Sequence, residues 1–65
     1  MAGLREAEVE AELMQGRALA FAGEHQQARE GLERALTMAR EQGTGRQVAE
    51  TLRLLGVVAT NLHEP

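Results

Sequence analysis

Cysteine is absent from this 65-residue chain, and its single proline is the last residue. Without cysteine the chain has neither disulfides nor thiolate metal ligands. Without an internal proline, long helices can run uninterrupted. A chain of this size builds only a small hydrophobic core. Without disulfides or a thiolate metal site, its remaining common source of stability is association with other molecules.

Lysine, aspartate, serine, tryptophan and tyrosine are also missing, and Phe21 is the one aromatic residue. The net charge is −3, from ten glutamates and seven arginines. Nucleic-acid binding needs clustered basic residues, often with stacking rings, and neither is present. No apolar run approaches the roughly 20 residues of a membrane span, and no signal-peptide pattern opens the chain. We therefore expect a cytoplasmic, soluble protein with no nucleic-acid or membrane partner.

Strong helix formers dominate, and no segment alternates apolar and polar residues as a strand would. The sequence predicts an all-α fold of three antiparallel helices, over about residues 4–22, 24–42 and 45–63, in one domain spanning residues 1–65. Gly23 and Gly43 are each expected to end a helix in the left-handed conformation. Thr44 and Gln47 have the spacing of a capping box at the third helix.

Apolar residues at alternating steps of three and four predict the core-facing stripe of each helix. The predicted stripes are Leu4, Ala7, Ala11, Met14, Ala18 and Phe21; His25, Ala28, Leu32, Ala35, Leu36 and Ala39; and Val48, Leu52, Leu55, Ala59 and Leu62. Gly16, Gly31 and Gly56 lie inside helices, where each costs about 1 kcal/mol relative to alanine. Close approach between helix backbones would explain that cost.

The two outer helices carry a second apolar face, formed by Val9, Leu13, Gly16 and Ala20 in the first and by Leu54 and Val57, with Val58, in the third. A helix at the edge of a small domain needs one apolar face. The extra faces are either contact surfaces for another molecule or scattered surface aliphatics, which are common. We favour the contact surfaces.

The stretch Gly16, Leu19, Gly23-Glu24, Ala28, Leu32, Ala35-Leu36 resembles a tetratricopeptide repeat, a helix pair held at close range by small residues. Glu12, Gln15 and Arg40 depart from that family's pattern. Residues 52–56, "LRLLG", resemble a second first-helix signature, and Gly16 and Gly56 are 40 residues apart. The family's usual period is about 34. The longer period is similar to repeats of large bacterial signalling and transcription-activator proteins.

The resemblance implies one full repeat plus the first helix of a second, and a non-enzymatic scaffold that binds a protein or peptide. An unrelated three-helix bundle or a helical-hairpin dimer is the alternative fold. The resemblance also implies that first helices line a concave groove. Its members would be Glu10, Leu13, Arg17, Ala20 and Phe21 from the first helix and Glu50, Arg53, Val57, Thr60 and Asn61 from the third. Arg17 and Arg53 could hold a carboxylate between them, or could simply be solvated.

About three repeats are normally needed to bury a repeat's faces, so we also expect a homodimer. The predicted self-association residues are Leu54, Val57, Val58 and Leu62. Two alternatives stay open: a self-assembling bundle without a groove for another protein, and a fragment of a larger bacterial regulator.

Nothing in the residue pattern predicts an enzyme, a cofactor or a metal site. His25 and His63 each stand beside a glutamate, but they are 38 residues apart. His25 occupies a turn-packing position in the repeat register. The glutamates at positions 6, 8, 10 and 12 indicate a solvated acidic segment in the first half of a helix.

Overall fold

The structure, a computed structural model, describes residues 2–62, and the side chains among them from residue 5 onward. Three helices follow one another: α1 is Ala2–Phe21, α2 is His25–Gln42 and α3 is Gly45–Asn61. The all-α, three-helix prediction is confirmed, and the predicted bounds lie within two residues of those observed. The predicted third helix extended to His63, which lies outside the described residues.

The turn between α1 and α2 is a Schellman motif. Gly23 has φ +84°, a left-handed conformation that favours glycine. The amide of Glu24 donates to the Leu19 carbonyl at 2.9 Å, and that of Gly23 donates to the Ala20 carbonyl at 3.2 Å. The predicted left-handed stop at Gly23 is therefore confirmed.

The turn between α2 and α3 differs from the prediction. Gly43 is extended, with φ −99° and ψ −165°, so the expected left-handed conformation is wrong at this position. Glycine is required there for steric reasons, because a Cβ would lie 2.9 Å from the Ala39 Cα. The predicted capping box is confirmed. Thr44 Oγ1 accepts from the Gln47 amide at 3.2 Å, and the Thr44 amide donates to Gln47 Oε1 at 3.1 Å.

The core forms around α2, which packs against both other helices. Ala28, Leu32 and Ala35 are fully buried, and Ala39 almost so, which confirms most of the predicted α2 stripe. His25 and Leu36, at its margins, are half-buried. The rest of the core comes from Val9 and Leu13 of α1 and from Leu54 and Val58 of α3.

The predicted core stripe of α1 is wrong. Its described members are exposed: Ala7, Ala11, Met14, Ala18 and Phe21; Leu4 lies outside the described side chains. The buried residues are instead Val9, Leu13 and Gly16, with Leu19 and Ala20 packed at the margin. The two sets are centred about 160° apart at 100° per residue, so α1 has two opposed apolar faces.

The predicted stripe of α3 is displaced by one helical position. The buried residues are Gln47, Thr51, Leu54 and Val58. Of the predicted stripe, Leu52 is exposed and the others are half-buried: Val48, Leu55, Ala59 and Leu62. Two polar residues can be buried because their hydrogen bonds are made inside the fold. The Thr51 hydroxyl, for example, donates to the Gln47 carbonyl at 2.7 Å.

Gly16 is the point of closest approach between α1 and α2. A Cβ on Gly16 would lie 2.7 Å from Leu32 Cδ2, so no larger residue fits beside the buried leucine. A Cβ on Gly31 would meet only ordinary contacts, the Gly16 Cα among them at 3.9 Å. Gly56, one predicted repeat further on, has no such neighbour within 4 Å. Within one chain, close approach therefore explains Gly16 but not Gly56.

Candidate functional site

A cluster of charged side chains lies where α1 meets α3. We call it the charged face: Glu10, Arg17, Arg46, Glu50 and Arg53. Its centre is Glu10, whose carboxylate accepts from Gln47 Nε2 and from an Arg46 guanidinium nitrogen, both at 2.9 Å. Gln47 Nε2 also donates to the Glu6 carbonyl at 3.1 Å. The buried glutamine thus ties the start of α3 to α1.

The rest of the charged face follows α3. Arg53 donates to Glu50 at 2.7 Å, one helical turn away. The hydrogen bond from Gln47, followed by that from Arg46, lowers the pKa of Glu10 below its ordinary 4.5. The bond from Arg53 does the same to the pKa of Glu50. The Arg17 charge also lowers both pKa values, as a smaller cause.

The lowered pKa of Glu10 predicts an acid-dependent stability. A carboxylate whose folded pKa is below its unfolded value stabilises the fold above about pH 4.5 and loses that contribution as the pH falls through the folded pKa. Since the side chain is 38 % exposed, we expect less than about 1 kcal/mol. Glu10→Gln should therefore flatten the decline of the urea midpoint between about pH 5 and 3.

The matched control for that titration is Glu41→Gln, which removes an exposed α2 glutamate away from the charged face. If the urea midpoint of Glu10→Gln falls as steeply below about pH 5 as that of the unmodified chain, the stabilising role given to the Glu10 carboxylate is wrong.

The structure brings together the charged members of the predicted groove. Leu13, however, is buried in the core and Ala20 is half-buried, so neither is open to a partner as predicted. The other apolar or polar members are exposed: Phe21, Val57, Thr60 and Asn61.

The two groove arginines already have contacts within the chain. Arg17 lies over the Phe21 ring, 5.7 Å from its centroid, and Arg53 is bonded to Glu50. A carboxylate shared between Arg17 and Arg53 would have to compete with both contacts. Arg46 was missed by the sequence reasoning. The sequence did contain a signal for Arg46. It lies four residues before Glu50 and seven before Arg53, which places all three on one face of α3.

The predicted self-association set needs a correction. Leu54 is 4 % exposed and Val58 fully buried, both in the core against α2, so neither is available to a second copy in this fold. Val57 is 46 % exposed and Leu62 half-buried. Of the four predicted residues, only Val57 is therefore largely open to a second copy.

The largest exposed apolar side chains of the described residues lie on α1. We call Ala7, Ala11, Met14, Ala18 and Phe21 the outer stripe. Phe21 is 78 % and Met14 56 % exposed. An open groove of about 290 Å³ runs along this surface, lined by Met14, Arg17, Ala18 and Phe21. A shallow apolar groove with one charged side chain at its rim suits a packed helix better than a small polar ligand.

A second exposed apolar surface lies on α3. We call Leu52, Gly56 and Ala59 the α3 outer face; the first two are exposed and Ala59 is half-buried. Leu52 is 46 % exposed. Leu52 is the one bulky side chain of this face, and Gly56 and Ala59 are small. Small residues let the axis of a second helix approach closely.

Within the described side chains, no group of three His or Glu residues could hold a metal ion, and His63 is not among them. His25 Nδ1 is buried, with no hydrogen-bond partner among the described residues. No helix within residues 2–62 combines the length and apolarity needed to cross a bilayer.

Comparison with protein-family models, curated proteins and solved structures finds no match to this chain. The surfaces of the chain are therefore the basis for inferring its function.

Proposed function

We propose that the chain is a non-enzymatic protein–protein interaction module of the tetratricopeptide type, in which helix faces and the charged face bind other polypeptides. One observation carries this proposal: α1 and α3 each have an exposed apolar face besides the face buried in the core. The chain has arginine but no lysine, and glutamate but no aspartate. This composition favours a bacterial source, and a cytoplasmic location is part of the same proposal.

The packing of α1 on α2 supports the repeat assignment. Leu32 sits against Gly16, and the two helices are joined by the Schellman turn at Gly23. In the 40-residue register, α3 is the equivalent of α1 and Gly56 the equivalent of Gly16. A helix similar to α2 should therefore pack on the α3 outer face, with its leucine against Gly56.

That expectation can be tested with a labelled peptide of residues 25–42, titrated with the full chain by fluorescence anisotropy. We expect saturable binding that Gly56→Leu weakens at least about tenfold, because a leucine fills the position where the peptide backbone must approach. Since Gly56 has open space around it, this variant should fold normally. The control peptide carries Leu32→Glu and should bind poorly.

Binding that is insensitive to Gly56→Leu would mean that the peptide displaces α2 or binds elsewhere, and would contradict the repeat register. Absence of binding would remove the assignment of α3 as a repeat's first helix.

The second candidate function is a self-assembling helical unit. The outer stripe of α1 favours it, because that surface is apolar, exposed and outside the proposed repeat stack. A fragment of a larger bacterial regulator remains a further alternative, in which other repeats would cover the same surfaces.

A further inference from the structure

The outer stripe of α1 has the residue spacing of an antiparallel two-helix seam. Its members alternate at steps of three and four, with alanine at positions 7, 11 and 18 and larger side chains at 14 and 21. Small residues let two helix axes approach at the short end of the 8–10 Å range. Since the stripe faces away from α2 and α3, a second helix can reach it without disturbing the core.

We propose that a second copy of this chain docks on the outer stripe, with the two α1 helices antiparallel about a twofold axis. In this arrangement Ala11 lies opposite the partner's Met14, and Ala7 lies opposite the partner's Ala18. A twofold pairing makes each contact twice, and it closes the assembly at two copies. The inference deepens the proposed interaction function by naming the occupant of one surface, which is separate from the α3 outer face.

Charge complementarity points to a second copy as the occupant. Glu10 and Arg17 follow one flank of the stripe, seven residues apart on α1. In an antiparallel homodimer, residues of the same flank face each other. Glu10 Oε1 accepts from Gln47 and Arg46 of its own chain. The proposed register adds the partner's Arg17 beside this carboxylate, and the symmetry repeats that opposite-charge pair. On the other flank, Glu8 lies beside the partner's Gln15.

The same charges disfavour the neighbouring registers. A slip of one heptad in one direction puts Arg17 against the partner's Arg17. A slip in the other direction puts Glu10 against the partner's Glu10. A parallel pair would place Glu10 beside the partner's Gln15 and gain no ion pair. The sequence thus selects one arrangement among those that the apolar spacing allows.

Sedimentation equilibrium over about 10 μM to 1 mM tests the surface. We expect a concentration-dependent dimer that Met14→Glu converts to a monomer over the whole range. The helix content should be unchanged, because Met14 is exposed. Arg17→Glu should raise the Kd about tenfold, since both cross-pairs become repulsive. Leu52→Glu adds the same charge to the α3 outer face, and should leave the mass unchanged.

Disulfide trapping tests the register, since the natural chain has no cysteine of its own. Ala7→Cys and Ala18→Cys are both exposed sites. In the proposed pairing, a mixture of the two variants should form a mixed disulfide. Either variant alone should not form a disulfide. The same residue in the two copies is then 11 positions, or about 16 Å, apart along the helix axis at 1.5 Å per residue.

A monomer at 1 mM, a dimer that survives Met14→Glu, or efficient crosslinking of Ala7→Cys alone would each overturn the proposal. A dimer dissociated by Leu52→Glu instead would move the interface to α3 and overturn it as well. Titrating the Met14→Glu variant with the peptide of residues 25–42 distinguishes failure of the dimer proposal from failure of the proposed interaction function. Retained peptide binding leaves the interaction function standing without the dimer.

Discussion

Gly16→Leu is expected to destabilise the fold by more than about 3 kcal/mol, beyond the usual cost of overpacking. A single added Cβ would already lie 2.7 Å from Leu32 Cδ2 and 2.8 Å from its Cγ. Leu32 is fully buried and cannot move into solvent, so α1 and α2 would have to separate. Urea denaturation followed by circular dichroism measures the loss.

The same substitution at Gly56 is the matched control. Gly56 lies within α3 and has open space around its missing Cβ. Gly56→Leu should therefore stabilise the chain by about 0.8 kcal/mol through helix propensity alone. Equal effects at the two glycines would contradict the close approach at Gly16.

Leu32→Ala is expected to cost about 2–5 kcal/mol, the range for a leucine truncated in a core. Leu32 belongs to the cluster that includes Leu13 from α1 and Leu54 from α3, so its loss weakens all three helices together. Single-core domains of this size rarely hold more than about 3–5 kcal/mol. The loss is therefore comparable with the whole free energy of unfolding, and the unfolded fraction should rise sharply at 25 °C.

Far-ultraviolet circular dichroism and thermal melts would show this as a loss of helix signal and of a cooperative transition. Leu52→Ala is the control, because Leu52 is 46 % exposed on α3 and its truncation should cost less than about 1 kcal/mol. A cooperative Leu32→Ala variant as stable as Leu52→Ala would show that the described core is incorrect.

The helices and most of α2 could be predicted because local rules determine them. Glycine after a helix-forming run, a Thr44–Gln47 capping box and one continuous apolar stripe on α2 all point to the same structure. Gly43 shows the limit of such rules. The residue type was informative, but Gly43 is extended, and glycine is required there because a Cβ would lie 2.9 Å from the Ala39 Cα.

The core faces of α1 and α3 could not be predicted in the same way. On α1, two opposed faces are both apolar, and periodicity alone does not say which one is buried. The fold buries Val9 and Leu13 because Gly16 lies on their side and admits Leu32. On α3, the buried face includes Gln47 and Thr51, whose polarity concealed it from a search for apolar residues.

The interaction surfaces could be predicted only in part, because the choice of buried face decides which apolar residues stay exposed. An excess of apolar residues on the outer helices was visible in the sequence, whereas Leu54 and Val58 were assigned to the exposed side and lie in the core. Of the charged face, the sequence reasoning missed Arg46, and it did not foresee that Gln47 bonds to Glu10 as well as capping α3.

The most direct test of the repeat assignment is an amide-resolved NMR titration of the labelled chain with unlabelled peptide 25–42. The account predicts shift changes concentrated at Leu52, Gly56 and Ala59, with the outer stripe of α1 unaffected. Changes spread over the α1–α2 contact at Gly16, or none at all at a saturating peptide concentration, would contradict it.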